Sequence, residues 1–198
     1  MGNKILIVSG LSGAGKTTLL DKLQKRNSGV DYTVVNIGSM MKEMGMEHKY
    51  IKNRDEIKLL SKNRIDKLRR DAYYRVSGMS GNIVLDTHTT IENNKMSSIM
   101  PGLPYHSLIH LKKISGLIYI NAPTEDILKR RLSDKKRSRE IQDSGAIKAQ
   151  RIVDISMLSY YSTYLNISLY IIDNIDGKKN LAVALSKLEG AFKEVFGD

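Results

Sequence analysis

Ile5-Leu6-Ile7-Val8-Ser9-Gly10-Leu11-Ser12-Gly13-Ala14-Gly15-Lys16-Thr17-Thr18-Leu19-Leu20 is the stretch on which the reading of this chain turns. Within it, Gly10 to Thr17 spell G-x-x-x-x-G-K-T between a short apolar run and a helical stretch that reaches Gln24. Strand, glycine-rich loop and helix in that order make a phosphate-binding P-loop. Glycines let the backbone wrap closely around an anion, while successive N–H groups and the positive end of the helix dipole face it. Lys16 adds a point charge for the β- and γ-phosphates, and Thr17 offers a hydroxyl to magnesium. The chain is therefore expected to handle a nucleoside triphosphate.

Outward from that loop, short apolar runs alternate with helical patterns. Strands are expected at Ile5 to Ser9, Tyr32 to Asn36, Asn82 to Asp86, Leu117 to Asn121 and Ser168 to Ile172. Helices are expected at Lys16 to Arg26, Ser39 to Gly45, Arg54 to Val76, Thr124 to Ser133, Gly145 to Leu165 and Lys179 to Val195. Continuous apolar strands separated by helices predict an α/β fold with a parallel sheet buried on both faces. Ligands of such sheets sit beyond the carboxyl ends of the strands. Gly10 to Thr17, Asn36 to Ser39 and Asp86 to His88 all fall there.

A length of 198 residues fits one compact domain, 1–198, with room for a mobile insert. No apolar run approaches the roughly 20 residues of a membrane helix, and no signal segment opens the chain, so a soluble, cytoplasmic protein without membrane contact is expected. The absence of cysteine excludes disulfides, thiolate metal sites and thiol catalysis. His48, His88, His106 and His110 lack a metal-binding cadence. A formal charge of +11 attracts polyanions, nucleotides or RNA, without choosing between them. The run Arg69-Arg70-Asp71-Ala72-Tyr73-Tyr74-Arg75 is read as one helix with a solvated basic side.

The second element of a nucleotide site should be a carboxylate at a strand end that reaches magnesium directly or through water, and Asp86 fits that place. A hydroxyl acceptor would want a base, whereas a phosphate acceptor is already ionised and needs cations to overcome repulsion between two anions. Arg54, Arg130, Arg131, Arg137 and Arg139 can supply forked guanidinium groups, and no carboxylate base beyond Asp86 is comparably placed. The balance favours phosphate as acceptor. The basic stretch Arg130 to Arg139 repels itself until something anionic arrives, so a short lid closing over phosphate is expected at about residues 130–145.

Five blocks then occur in order: Val35-Asn36-Ile37-Gly38-Ser39-Met40-Met41, Asn53-Arg54-Asp55, Val84-Leu85-Asp86-Thr87-His88-Thr89-Thr90-Ile91, Pro101-Gly102-Leu103-Pro104, and Arg130-Arg131-Leu132 with Arg137-Ser138-Arg139-Glu140. With the P-loop, this series resembles the archaeal-type adenylate kinases over nearly the whole chain. The resemblance implies a P-loop NTPase fold on a five-stranded parallel sheet and reversible, magnesium-dependent phosphoryl transfer, ATP + AMP = 2 ADP. It assigns ATP phosphates to Gly10, Leu11, Ser12, Gly13, Ala14, Gly15, Lys16, Thr17 and Thr18. AMP falls to Gly38, Ser39, Arg54 and His88, within a region of about 36–90. Arg130, Arg131, Arg137 and Arg139 would line the lid and, with Lys16, act in catalysis, and a homotrimer is implied.

The chain departs from the family at Lys135-Lys136, where an acidic residue is usual, and at Val153-Asp154, where an Asn-Arg pair follows the equivalent of Gln150. Arg151 is the basic residue nearest to the missing arginine, although it lies on another helical face. Two alternatives stay open: a P-loop kinase for another nucleoside monophosphate or a small hydroxyl compound, and an RNA-associated NTPase. No N-K-x-D motif supports a guanine-reading switch, and RNA binding beside kinase activity is compatible with the charge.

Overall fold

β1 (Ile5–Ser9) is buried along its whole length. In this computed structural model, which describes residues 4–26, 29–52, 56, 57, 60–93, 98–111, 113–133 and 143–197, β1 pairs in parallel with β3 (Ile83–Asp86) on one side and β6 (Ile114–Asn121) on the other. β2 (Thr33–Asn36) joins β3 and β7 (Leu169–Asp173) joins β6, completing a five-stranded parallel sheet in the order β2-β3-β1-β6-β7. The α/β fold and its strands are those expected from the apolar runs. β6 starts earlier than expected, at Ile114 rather than Leu117.

Alternation along a strand sends successive side chains to opposite faces. Leu6 and Val8 pack with Leu19, Leu20 and Leu23 of α1 (Lys16–Lys25) and Leu185, Leu188 and Phe192 of α7 (Lys178–Phe196). Ile5 and Ile7 pack instead with Leu68, Ala72 and Tyr73 of α3 (Lys62–Ser77) and Leu158 and Tyr161 of α6 (Ser144–Leu165). Each fully buried side chain of this size contributes about 1.5–3 kcal/mol relative to exposure, so both faces hold β1 in place. That anchoring fixes where the loop after it emerges.

Three local features differ from expectation. α2 (Ile37–Glu47) begins before Ser39 because the Asn36 side chain accepts a hydrogen bond from the Ser39 N–H at 2.8 Å and caps the helix. α3 begins at Lys62, after Ser61 in extended conformation, rather than at Arg54. An antiparallel hairpin of β4 (Thr90–Asn93) and β5 (Ser98–Pro101), followed by the single turn α4 (Tyr105–Leu108), occupies a region read as loop. Four-residue strands, one of them ended by proline, carry too little alternation to stand out in a sequence. α5 (Thr124–Ser133) falls where expected. Arg54, Lys135, Lys136, Arg137 and Arg139 lie outside the described residues, and with them most of the expected lid. Among the described residues no helix is long and apolar enough to cross a membrane.

Parallel register delivers every strand's carboxyl end to one edge. Val8 and Asn36 both stand opposite Asp86, and Ser9 stands opposite Tyr119. The core behind that edge is testable at Phe192, fully buried and in edge contact with Tyr32 and Phe196. Phe192→Ala should lower the unfolding free energy by about 3–5 kcal/mol in urea titrations, the usual cost of emptying a buried aromatic site.

Candidate active site

Gly10, Gly13 and Gly15 have φ values of +148°, +91° and +89°, a region side chains rarely adopt. A Cβ on Gly10 would also stand 2.4 Å from the Ile120 carbonyl oxygen, so the loop leaves β1 pressed against the end of β6. The buried Lys16 starts α1, and its Nζ donates to the Gly10 carbonyl at 2.8 Å. His88 joins them, with Nδ1 at 2.9 Å from the same carbonyl and 3.2 Å from Lys16 Nζ. The P-loop lysine and the histidine that follows β3 thus meet over one carbonyl oxygen.

The outer side of the loop is held from α5 and from the segment after β7. Arg131 Nε donates to the Ser12 carbonyl at 2.8 Å, and Arg130 Nη1 to those of Gly13 and Ala14 at 3.3 and 3.2 Å. Asn174 Nδ2 also donates to the Ala14 carbonyl, at 2.8 Å. Arg130 is itself fixed by Asp176 Oδ1, at 3.0 Å from Nε and 2.7 Å from Nη2. A peptide group's C=O and N–H point in opposite directions. Holding these carbonyls outward therefore turns the Gly13 and Gly15 N–H groups inward, while the Ala14 N–H closes on the Leu11 carbonyl at 3.0 Å. Both arginines thus hold carbonyls of the loop.

Asp86 is buried at the end of β3. Its Oδ2 accepts from Asn36 Nδ2 at 2.7 Å, so one asparagine caps α2 and orients this carboxylate. Among the described residues its Oδ1 has no hydrogen-bond partner. A buried, half-paired carboxylate at the strand edge, in a chain whose Thr17 lies exposed in the first turn of α1, fits a magnesium ion shared with phosphate oxygens. Gly38 and Ser39 occupy the first turn of α2 on the same edge. Ser9 Oγ and Thr89 Oγ1 share a 2.6 Å hydrogen bond, and the Thr87 N–H donates to Val8 O at 3.0 Å, locking the segment after β3 to β1.

A buried polar cluster on α6 escaped assignment to the site from sequence. Thr90 Oγ1 donates to Asp154 Oδ1 at 2.5 Å, and Gln150 Nε2 donates to Thr90 O and Oγ1 at 3.2 and 3.1 Å. Asp154 is 1% exposed and interacts with the buried Tyr119 phenol, although among the described residues neither its Oδ2 nor that hydroxyl has a partner in good hydrogen-bond geometry. Burial pushes the Asp154 carboxyl up to about 6, against the opposing pull of the Thr90 hydrogen bond and the Lys16 charge. Burial, with the Asp154 charge second, also pushes the Tyr119 phenol above its ordinary range. Arg151 Nη2 donates to Ala122 O at 2.6 Å and to Thr124 Oγ1 at 3.2 Å. The signal for Asp154 lay in the sequence as a departure, but its burial did not.

A sequence profile described as AAA domain matches residues 9–148. The adenylate kinase of Methanothermobacter thermautotrophicus is 30% identical over 186 residues, spanning 93% of this chain and 97% of that one. The adenylate kinase of Methanocaldococcus jannaschii is 29% identical over 180 residues, covering 89% and 92%. Among solved structures, a shikimate kinase from Bacteroides thetaiotaomicron superposes with a TM-score of 0.57 at 14% identity, covering 96% of this chain and 98% of that one. That last likeness is one of fold.

The raised Asp154 carboxyl has a consequence for stability. The folded chain holds this proton more tightly than the unfolded chain, so its contribution falls as pH rises from about 4 to about 6 and stays low above that. Asp154→Asn should therefore stabilise the protein at pH 7.5 by about 1–3 kcal/mol, and the gain should vanish toward pH 4. Thermal melts of both proteins across that range would read the difference.

Proposed function

The chain belongs to the archaeal-type adenylate kinases within the AAA-domain class of P-loop proteins, and on that footing we propose that it moves the γ-phosphoryl group of ATP reversibly to AMP. It is a nucleoside monophosphate kinase by family. The observation that supports the pairing of donor and acceptor is the meeting of Lys16 and His88 on the Gly10 carbonyl, which brings the triphosphate loop to the segment assigned to AMP.

Gly10 to Thr18 would receive the ATP phosphates, with Lys16 exchanging the Gly10 carbonyl for phosphate oxygens. Gly38, Ser39, Arg54 and His88 would take AMP, in a region of about 36–90. Thr17 and Asp86 would hold magnesium, Asp86 directly or through water, and that ion supplies charge neutralisation on the phosphates. Because the acceptor oxygen is already ionised, the demand on the protein is to bring two anions together in line and exclude water. Arg137 and Arg139, in a lid of about 130–145, would add positive charge as the phosphoryl group moves, while Arg130 and Arg131 would keep the loop's amides aimed at it.

The fine assignments extend to assembly and setting: a homotrimer, working in the cytoplasm where adenine nucleotides interconvert. A mass by light scattering equal to one chain at micromolar concentration would remove the trimer.

Purified protein with ATP, AMP and magnesium should form ADP, followed by chromatography, and should run in reverse from ADP. Failure with AMP but transfer to another nucleoside monophosphate or to a hydroxyl compound would reassign the acceptor. ATP consumption only with RNA would favour the RNA-associated reading. Lys16→Met should cut turnover on the order of 10²-fold or more, since its charge counts most where γ-phosphate charge is redistributed. Near-normal turnover in that variant would place Lys16 outside the phosphate cradle.

Arg137→Ala and Arg139→Ala should lower turnover far more than ATP affinity, because a lid charge acts chiefly as the phosphoryl group moves. Single-turnover rates set beside ATP dissociation constants make the comparison. Unchanged turnover in the double variant would return these residues to the solvated surface.

A further inference from the structure

The last rung of the pairing between β2 and β3 sets Asn36 opposite Asp86. Alternation along the strands puts both side chains on the sheet face of Val34, Val84 and Val8, where Leu19, Leu20 and Leu23 of α1 pack. The helix that carries Thr17 in its first turn therefore covers the face to which this carboxylate belongs.

The Asn36 amide is used at both of its ends. Its Oδ1 accepts from the Ser39 N–H at 2.8 Å, and its Nδ2 donates to Asp86 Oδ2 at 2.7 Å. Only one orientation of the amide satisfies the two neighbours, because an N–H needs an acceptor and an ionised carboxylate needs a donor. Asp86 is 5% exposed, so with Oδ2 taken only Oδ1 is left, and among the described residues Oδ1 has no hydrogen-bond partner. A buried acceptor in that state is costly until a donor or a cation meets it.

We propose that Asn36 is a positioning residue for the divalent cation: by occupying Oδ2 it confines Asp86 to meeting the ion, directly or through water, with Oδ1 alone, and so sets how tightly the protein holds it. The inference rests on the assignment of magnesium to Thr17 and Asp86. One carboxylate oxygen and one hydroxyl are few ligands for an octahedral ion, and phosphate oxygens and water must complete its shell. The ion is then held firmly only in the company of nucleotide. A carboxylate at position 36 would reverse this, since it caps α2 as well as asparagine does but sets acceptor oxygens beside Asp86 in place of a donor. Serine also caps a helix, yet has no amide to offer Asp86. The two substitutions keep the start of α2 and push cation binding in opposite directions.

Manganese(II), a paramagnetic stand-in for magnesium, allows free and bound ion to be counted by electron paramagnetic resonance on the full chain near pH 8, where carboxylates are ionised. With the non-hydrolysable ATP analogue AMP-PNP present, Asn36→Ser should bind the ion about ten-fold more weakly than wild type, the low end of the usual cost of removing a partner from a metal-ligating group. Without nucleotide, Asn36→Asp should bind it about ten-fold more tightly than wild type, because an added carboxylate raises the ligand charge. The melting temperature of that variant should then rise with added ion more than wild type's does. In an Asp86→Asn background, Asn36→Ser should no longer change the affinity measured with AMP-PNP. A role confined to capping α2 would move both variants the same way or neither, and either result overturns the proposal, as does a serine effect that persists without the Asp86 carboxylate. Equal ion affinity in wild type and Asp86→Asn would remove the magnesium assignment itself, and the proposal with it.

Discussion

Everything at the strand edge depends on the orientation of a few peptide groups between Gly10 and Lys16. A phosphate is bound by amide N–H groups only if the matching carbonyls are turned the other way and paired there, because a buried unpaired carbonyl would cost as much as the amide contributes. Arg130, Arg131 and Asn174 pair those carbonyls, and the positive φ values of Gly10, Gly13 and Gly15 let the chain make the turns. The loop is thus a shape imposed from outside by α5 and the segment after β7. Arg130 is tied to Asp176 and lies near Asp126, which offsets its charge.

The sheet sets the other half of the site through register. Asn36 and Val8 both stand opposite Asp86, so three strands present a capped helix, the P-loop and a half-paired carboxylate on one edge. A single-residue slip of β3 would turn Asp86 to the other face of the sheet, since strand side chains alternate. The fully buried Val84 and Leu85, each packed into a different face of the core, resist such a slip. Hydrophobic packing and placement of the carboxylate are therefore one constraint.

The sequence made legible whatever was carried by strong periodicity or by a motif with one physical solution. The P-loop, the five parallel strands and the boundaries of α5 belong to that class. The β4–β5 hairpin did not, because its four-residue strands lack a long pattern. The start of α2 depended on Asn36 caring for both Ser39 and Asp86, and the second partner lies 50 residues away. Arg130 and Arg131 stood out by composition as candidates for a phosphate, whereas their attachment to loop carbonyls depends on how α5 packs against the P-loop. Asp154 could be seen as a departure from the resembled pattern, but only the packing of α6 on β4 and β6 turns it into a buried acid.

Surface charge and site charge divide the task of binding. A net charge of +11 gathers anions from many directions and accelerates encounter, but a diffuse field is blind to how phosphates are linked. At the edge itself the balance is tighter, since the cation Lys16 is buried and so are the carboxylates Asp86 and Asp154. Those carboxylates reduce the affinity that a purely cationic pocket would show for any passing anion. They leave recognition to directed groups: amides turned inward, one ammonium over the Gly10 carbonyl, and hydroxyls fixed by their neighbours. A ligand that satisfies those directions can displace the internal contacts of Lys16 one for one, whereas an anion of the wrong shape must break them without replacement. Selectivity for a particular arrangement of phosphates then arises from the cost of disturbing this edge as much as from the attraction it offers.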